Sequence, residues 1–144
     1  MAVQTTYPDG MVKGYAGMIA TLTPSTTVTY LAEAAVNFGF AVKQGTADNE
    51  CAEASLAADN VLGIAAREVS SGEANSFGIG ENVRVLTQGE IYVTAGGTAT
   101  AGTAVYMVPA SKKFVTSATD NLAIPGATFV ESGVLDGIVM IRLK

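Results

Sequence analysis

The sequence contains no histidine and no tryptophan, and cysteine occurs once, at Cys51. Without histidine there is no Ser-His or Cys-His pair, no imidazole ligand for zinc, and no side chain with an ordinary pKa near neutrality. A single cysteine forms neither an intrachain disulfide nor a cysteine metal cluster. The neighbouring carboxylates of Glu50 and Glu53 oppose loss of the thiol proton, which disfavours a reactive thiolate. These absences predict a protein that is not an enzyme and that holds no metal or cofactor.

Charged residues are also scarce, at 15%, and acidic side chains outnumber basic ones by 13 to 8, for a net charge of −5. Nucleic-acid binding needs clustered Lys and Arg that displace counterions from phosphates, and these basic residues are scattered. The acidic residues are densest between Asp48 and Asp59, but their spacing does not match a calcium-binding loop. We therefore expect no nucleic-acid partner and interpret the acidic segment as a polar connection.

Long hydrophobic runs are absent too, although apolar residues make up 49% of the 144 residues. No run approaches the roughly 20 residues that span a bilayer, and the first residues lack the basic and apolar regions of a secretory leader. We therefore expect no membrane partner and assembly in a reducing cytoplasm. A chain this apolar and this lightly charged often covers part of its surface with another chain.

What the sequence does contain is the alternation of β-strands, clearest between Glu81 and Pro109. Apolar residues recur at every second position in two runs, Val83 with Val85 and then Ile91 with Val93 and Ala95, and a third run covers Ala104–Val108. Because side chains of a strand point alternately to opposite faces, this spacing predicts short strands with one buried face. Glycines at positions 89, 96, 97 and 102 predict the turns between them.

Five further strands are predicted: Phe38–Gln44, Val61–Val69, Lys113–Thr116, Ala127–Glu131 and Gly137–Lys144. The last has apolar side chains on both faces, which predicts a position between layers or against a neighbouring chain. Helix is favoured only weakly, in the alanine-rich windows Thr29–Val36 and Glu50–Ala58. Isolated helices this short are marginal in water, so each window stays open between helix, strand and loop. The expected fold is all-β, with at most one or two short helices.

Residues 1–27 differ from the rest in being rich in Thr, Gly and Pro. Turn signals occur at Pro8-Asp9-Gly10 and at Pro24-Ser25. One interpretation is an extended N-terminal arm, and the other is a first strand over Tyr15–Leu22 preceded by a frayed tail. In either case residues 28–144 are expected to form a single β domain.

Three segments of the chain resemble the small structural cement proteins of tailed bacteriophage capsids, also called capsid decoration proteins. The segments are LGIAAREV (62–69), ENVRVLTQGEIYVTAGGTATAGTAVYMV (81–108) and GIVMIRL (137–143). The resemblance covers roughly residues 37–144. It implies a β-sandwich or jelly-roll-like barrel, made in the host bacterial cytoplasm and carried on the outer capsid surface of the virion. There it would bridge adjacent subunits of the major capsid protein, and the family has no catalytic residues to transfer.

If the protein has this role, the N-terminal arm is the expected capsid contact. Tyr7, Met11, Tyr15 and Met18 are the candidate anchors, because aromatic and Met side chains are enriched at the centres of interfaces. An extended segment can also add a strand to an exposed sheet edge of its partner. For Tyr15 and Met18 the alternative is that they fill the core of this protein.

Self-association is the second expected contact, because a clamp on a local symmetry axis is itself a symmetric oligomer. A dimer is the first expectation and a trimer the second. Leu86, Tyr92 and Tyr106, which the alternation places on outward strand faces, are the candidate residues.

Two other classes of function remain as alternatives. A small-ligand- or glycan-binding β domain exposed on a virion would usually present Trp or clustered aromatic rings, whereas aromatic residues make up only 7% of this chain. A small hydrolase that uses carboxylates would need an acid pair, and no sequence pattern marks one.

Overall fold

All the regular secondary structure is β-sheet in the computed structural model, which describes residues 14–20, 23–68 and 75–144. The strands of this described part are β1 Thr26–Ala32, β2 Val36–Asn37, β3 Ala41–Gln44, β4 Glu50–Glu53, β5 Val61–Ala65, β6 Ser76–Phe77, β7 Asn82–Thr94, β8 Ala104–Met107, β9 Phe114–Val115, β10 Leu122–Phe129 and β11 Ile138–Leu143. The all-β prediction is thus confirmed. No helix long and apolar enough to cross a membrane occurs in the described ranges.

Neither alanine-rich window is helical in this structure. The first half of the window Thr29–Val36 lies in β1, and the window Glu50–Ala58 begins as β4. β1 and β4 pair with each other in parallel, and each has a second, antiparallel neighbour. Pairing on both edges therefore overrides the intrinsic helix preference of alanine, which is a fraction of a kcal/mol per residue.

The first five strands in the order of the main sheet form a closed ring. Its order begins β1-β4-β3-β5-β7, and β1 pairs back onto β7, so these five strands form a barrel-like ring. The order then continues β7-β11-β10-β8-β9, and Ala95, just after β7, bridges to Phe114 in β9. The two halves therefore share β7, and the predicted sandwich or barrel class is confirmed.

The 13-residue strand β7 runs without a turn through Gly89, where the sequence predicted one. Gln88 still pairs with β1, whereas Gly89 pairs with Leu143 of β11, so the glycine lies where β7 passes from one half to the other. Its φ is +125°, and a Cβ at this position would lie 2.9 Å from the Cβ of Ser25. Glycine is needed here for close approach of the chain rather than for reversal. The turn predicted at Gly102, with φ +86°, is present.

Two clusters of buried side chains lie on opposite faces of β5 and β7. Val85 belongs to the smaller cluster and the next residue, Leu86, belongs to the larger one. Ile64 and Ala65 of β5 divide in the same way. Leu86 is fully buried, so its predicted place on an outward face is wrong. Alternation gives opposite faces correctly, but at this point both faces of β7 are covered by core.

The other predicted strands differ from the structure mainly at their ends. β5 stops at Ala65, and β10 starts five residues before the predicted Ala127. A turn at residues 38–39 separates β2 from β3 inside the strand predicted at Phe38–Gln44. In β11 the alternation is as predicted, but only the face of Val139, Ile141 and Leu143 is buried, whereas Ile138 and Met140 on the other face are half-buried. These shifts reflect pairing partners that are distant in sequence.

Candidate functional site

The described residues contain no cluster of acidic or cysteine side chains suited to a metal. No group of three or more such side chains within 14–20, 23–68 and 75–144 could hold an ion. Cys51 is fully buried, and burial raises the pKa of its thiol to about 11. A thiol of this kind is protonated and inert at neutral pH. The candidate sites that remain in the described residues are surfaces that could bind another protein.

The first such surface is built where the chain enters the domain, at residues 14–20. This segment runs antiparallel along the second half of β7: the Gly17 amide donates to the Tyr92 carbonyl at 2.7 Å, and the Tyr92 amide donates to the Met18 carbonyl at 3.0 Å. The Ala20 amide donates to the Glu90 carbonyl at 3.0 Å, and Ile19 bridges to Ile91. The segment thereby occupies the edge of β7 that does not pair with β11.

Beside this segment lies an open groove of about 490 Å³, which we call the arginine groove. Its lining is Met18–Ala20, Thr23, Ser25, Arg67 and Arg84. The apolar part of the lining comes from residues 18–20, and the polar part comes from two hydroxyls and two guanidinium groups. Two arginines beside an apolar wall are suited to a protein segment that carries negative charge.

Arg67 is held in place by several contacts. Its Nε donates to the Ala16 carbonyl at 3.2 Å, and its Nη1 donates to Oδ1 of Asn75 at 3.2 Å. Its guanidinium carbon lies 5.4 Å from the ring centroid of Tyr15 and 5.0 Å from that of Phe38. These distances are typical of cation–π contacts, so the charge is fixed between two rings, and no carboxylate of the described ranges pairs with it.

The predicted capsid anchors lie partly at this groove. Tyr7 and Met11 lie outside the described residues. Tyr15 is 60% exposed and covers the guanidinium of Arg67, whereas Met18 is half-buried and lines the groove. The core-filling alternative therefore does not describe Tyr15, which is a surface residue.

The predicted self-association residues are dispersed. Tyr92 is half-buried, and a Cβ built on Gly14 would lie 3.0 Å from its ring, so residues 14–20 cover part of the tyrosine. Tyr106 is half-buried and lines a second groove beside Pro125 and Gly126 of β10. Leu86 is inside the core. The structure does not bring the three together.

A second surface was missed in the sequence, at the turn between β10 and β11. Val134 and Leu135 are 68% and 61% exposed there. The ion pair of Lys113 with Asp136 ties this turn to the loop before β9, and Asp136 adopts a φ of +63°. The signal that could have marked it is a pair of large apolar residues inside a turn sequence, ESGVLDG.

A third surface, also missed, lies along β1. Leu31 is exposed on this strand, and Ile79 is exposed in the turn before β7, whereas Val28, three residues before Leu31, is exposed on the opposite face of the strand. β1 and this turn lie side by side, because the Gly80 amide donates to the Ala32 carbonyl at 2.9 Å. β1 contains no charged residue. An uncharged strand with outward apolar side chains is a common feature of protein contacts.

The chain is similar to phage proteins in sequence and in fold. The sequence profile of the phage family described as Structural cement protein (E217 gp24/Pam3 gp6) matches residues 3–144. A chain in the capsid of Myoviridae phage XM1 has a similar structure with a TM-score of 0.78 at 19% identity, covering 100% of this chain and 98% of that one. The head fibre gp8.5 N base of bacteriophage phi29 has a TM-score of 0.54 at 14% identity, covering 84% and 95%. At these identities the two likenesses show the fold alone, and a search of curated proteins found no match.

Proposed function

The chain belongs to the phage structural cement protein family and has a cement role in a phage capsid, and we propose that it acts on the outer capsid surface by bridging neighbouring subunits of the major capsid protein. The observation that carries this proposal is the family match, which extends over residues 3–144 and therefore over the whole described fold. The two similar structures come from a phage capsid and a phage head fibre, which supports a position on the phage head. On this proposal the protein is not an enzyme, and it is made in the host cytoplasm.

Bridging requires at least two contact surfaces on one molecule. The turn that carries Val134 and Leu135 and the surface formed by Leu31 and Ile79 belong to different halves of the sheet. Exposed apolar side chains lose unfavourable contact with water when a partner covers them, and a lightly charged surface loses little hydration in the process. We assign both surfaces to contacts with the capsid lattice.

The stabilising effect follows from mass action. A ligand that binds only the assembled lattice favours that state over its separated subunits. Many identical copies act on one shell, so a modest contact energy per copy is sufficient. A cement protein on a local symmetry axis of the shell is itself a symmetric oligomer, and we propose a dimer as first choice and a trimer as second. Tyr92 and Tyr106 are the remaining candidates for that self-association, and Tyr7 and Met11 remain candidates for capsid contact.

The test is binding to purified capsids that were assembled without this protein. We expect the wild-type chain to co-sediment with the particles and to raise the temperature at which they rupture. The double variant Val134→Asp/Leu135→Asp should bind at least about tenfold more weakly, because two charges enter an apolar contact. Thr119→Asp, on an exposed loop, is the matched control and should bind like the wild type.

Two outcomes would contradict different parts of the proposal. A wild-type chain that stays in the supernatant would overturn binding to the capsid. Full occupancy by the double variant, with wild-type binding intact, would remove the turn between β10 and β11 from the contact.

A further inference from the structure

We propose that the arginine groove binds a carboxylate side chain, Asp or Glu, presented by an extended segment of the neighbouring capsid protein. This inference rests on the proposed function, because the capsid supplies the partner, and it adds the chemistry that the partner must have. Such a contact is distinct from the two apolar surfaces assigned above.

The first argument comes from the distribution of charge. The chain has three arginines, and Arg142 pairs with the carboxylate of Glu90, with 2.9 Å between its Nε and Oε1. Arg67 and Arg84 have no carboxylate partner among the described residues, and both line the arginine groove. No acidic side chain stands with them in the described lining. In a chain with an excess of acidic residues, two unpaired arginines at one groove create a local positive potential.

The second argument is that Arg67 is positioned in advance. Its hydrogen bonds to described residues use two of the five N–H groups of a guanidinium, and the acceptors are the neutral oxygens of Ala16 and Asn75. Neutral acceptors fix the orientation of the group without cancelling its charge. The remaining donors can take part in the charge-assisted hydrogen bonds that a carboxylate accepts.

The third argument is an unpaired hydroxyl. Oγ1 of Thr23 is buried and has no hydrogen-bond partner in the part of the chain that the structure describes, and Thr23 is part of the groove lining. A buried donor without an acceptor is unfavourable, and an incoming carboxylate oxygen is a suitable acceptor. Nothing comparable is found at the other grooves within the described residues.

The shape of the groove limits the size and character of the partner segment. A volume of about 490 Å³ is enough for one acidic side chain and the residues beside it. Met18, Ile19 and Ala20 form an apolar wall, which suits small apolar neighbours of the acidic residue. The open form of the groove admits a segment of a folded protein. Phosphates of nucleic acid are disfavoured, because the whole chain carries a net charge of −5.

The test uses Arg84, an exposed residue whose guanidinium makes no hydrogen bond or ion pair within the described part of the chain, so that its replacement removes no such interaction there. Binding of full-length protein to capsids assembled without it is measured by co-sedimentation at low and high salt. Arg84→Glu should weaken binding about tenfold or more, and Arg84→Gln should weaken it less, because it removes charge without adding repulsion. Arg84→Lys should retain most of the affinity. Lys144→Gln, which removes a positive charge from an exposed residue outside the groove, should bind like the wild type.

Salt and competitors separate the alternatives. Salt should weaken wild-type binding more than Arg84→Gln binding, since screening removes only charge-dependent contacts. A polyglutamate peptide should compete for the wild type and a neutral polyglutamine peptide should not. If Arg84→Glu binds capsids as tightly as the wild type, the groove is not a carboxylate site while the cement function stands. If the wild type binds no capsid, both the cement function and the carboxylate site are contradicted. If the wild type is retained on immobilised DNA and Arg84→Glu is not, the groove binds phosphate instead.

Discussion

Gly17 and Gly39 lie back to back, and a Cβ on either residue would lie 2.8 Å from the amide nitrogen of the other. Both have positive φ, +86° and +79°. The Arg67 amide donates to the Gly17 carbonyl at 2.6 Å, and the Gly39 amide donates to the Ala65 carbonyl at 2.8 Å. This contact is the point at which residues 14–20 are clamped against the barrel and beside the arginine groove.

Because Gly17 and Gly39 lie so close together, even a methyl side chain at Gly39 should strongly destabilise the fold. Gly39→Ala should lower the free energy of unfolding by about 2–4 kcal/mol, because a left-handed alanine is strained and its methyl group must displace backbone. Gly102→Ala is the matched control: its φ of +86° is likewise positive, but nothing lies within 4 Å of a Cβ there, so a loss of about 1 kcal/mol is expected. Urea denaturation measures both. Equal losses would show that the Gly17–Gly39 approach is not tight.

The same variant should loosen residues 14–20 locally. The amides of Gly17, Ala20 and Tyr92, which join this segment to β7, should exchange their hydrogens faster in Gly39→Ala than in Gly102→Ala. Uniform exchange in the two variants would contradict the clamp.

Glu90 and Arg142 predict a strong coupling across β7 and β11. Glu90 is 7% exposed, and Arg142 is half-exposed and donates to Oε1 of Glu90. Arg142→Met should lower the free energy of unfolding by about 2 kcal/mol, because it leaves a buried carboxylate without its partner. The arginine is half-exposed, so the loss is smaller than for a fully buried ion pair. Adding Glu90→Gln should restore part of the loss. A double-mutant cycle by thermal unfolding measures the coupling, and strict additivity would contradict it.

Asp59 predicts a loss of stability in acid. Burial would raise its pKa, but hydrogen bonds from the amides of Ser55 and Leu56, together with the ion pair to Lys43, outweigh burial and hold the pKa below its ordinary 3.8. A carboxyl with a lowered folded-state pKa stabilises the fold fully above the unfolded value, and this contribution is lost as the pH falls through the folded value.

Asp59→Asn should therefore flatten the dependence of the unfolding free energy on pH below about pH 4. Its amide oxygen can still accept from the two backbone amides, so the loop is retained. Asp48→Asn, at an exposed carboxylate, is the control and should leave the profile parallel to that of the wild type. Parallel profiles for both variants would show that Asp59 contributes no acid sensitivity.

Cys51 predicts a thiol that reports unfolding. Its pKa of about 11, against an ordinary 9.0, leaves about a hundredfold less thiolate at neutral pH, and the sulfur is buried in addition. A thiol-specific chromogenic reagent should label the native protein only at the rate at which it opens, and labelling should become fast in urea. Equally fast labelling with and without urea would contradict the burial of Cys51.

The candidate site was only partly accessible to prediction. Tyr15 and Met18 were predicted as capsid anchors from their chemistry, with core filling as the alternative; Met18 lines the arginine groove and Tyr15 covers the guanidinium of Arg67. Arg67 and Arg84 were missed because they lie 17 positions apart in the sequence, and only the pairing of β5 with β7, continued by the hydrogen bond from the Ala66 amide to the Arg84 carbonyl, brings them to one place. Leu86 was assigned to the surface because a strand pattern shows two faces without showing what covers each.

By itself the sequence determined the all-β class, the alternation of faces within strands such as β11, and the scarcity of groups for acid–base chemistry. These properties follow from composition and from the two-residue period of a strand, which are both local. Tertiary structure alone decided that Gly89 lies inside a continuous strand, that the alanine-rich windows are extended, and that β7 lies between two cores. The physical reason is that pairing and burial join residues far apart in the chain, and their free energies exceed the local preferences of any single segment.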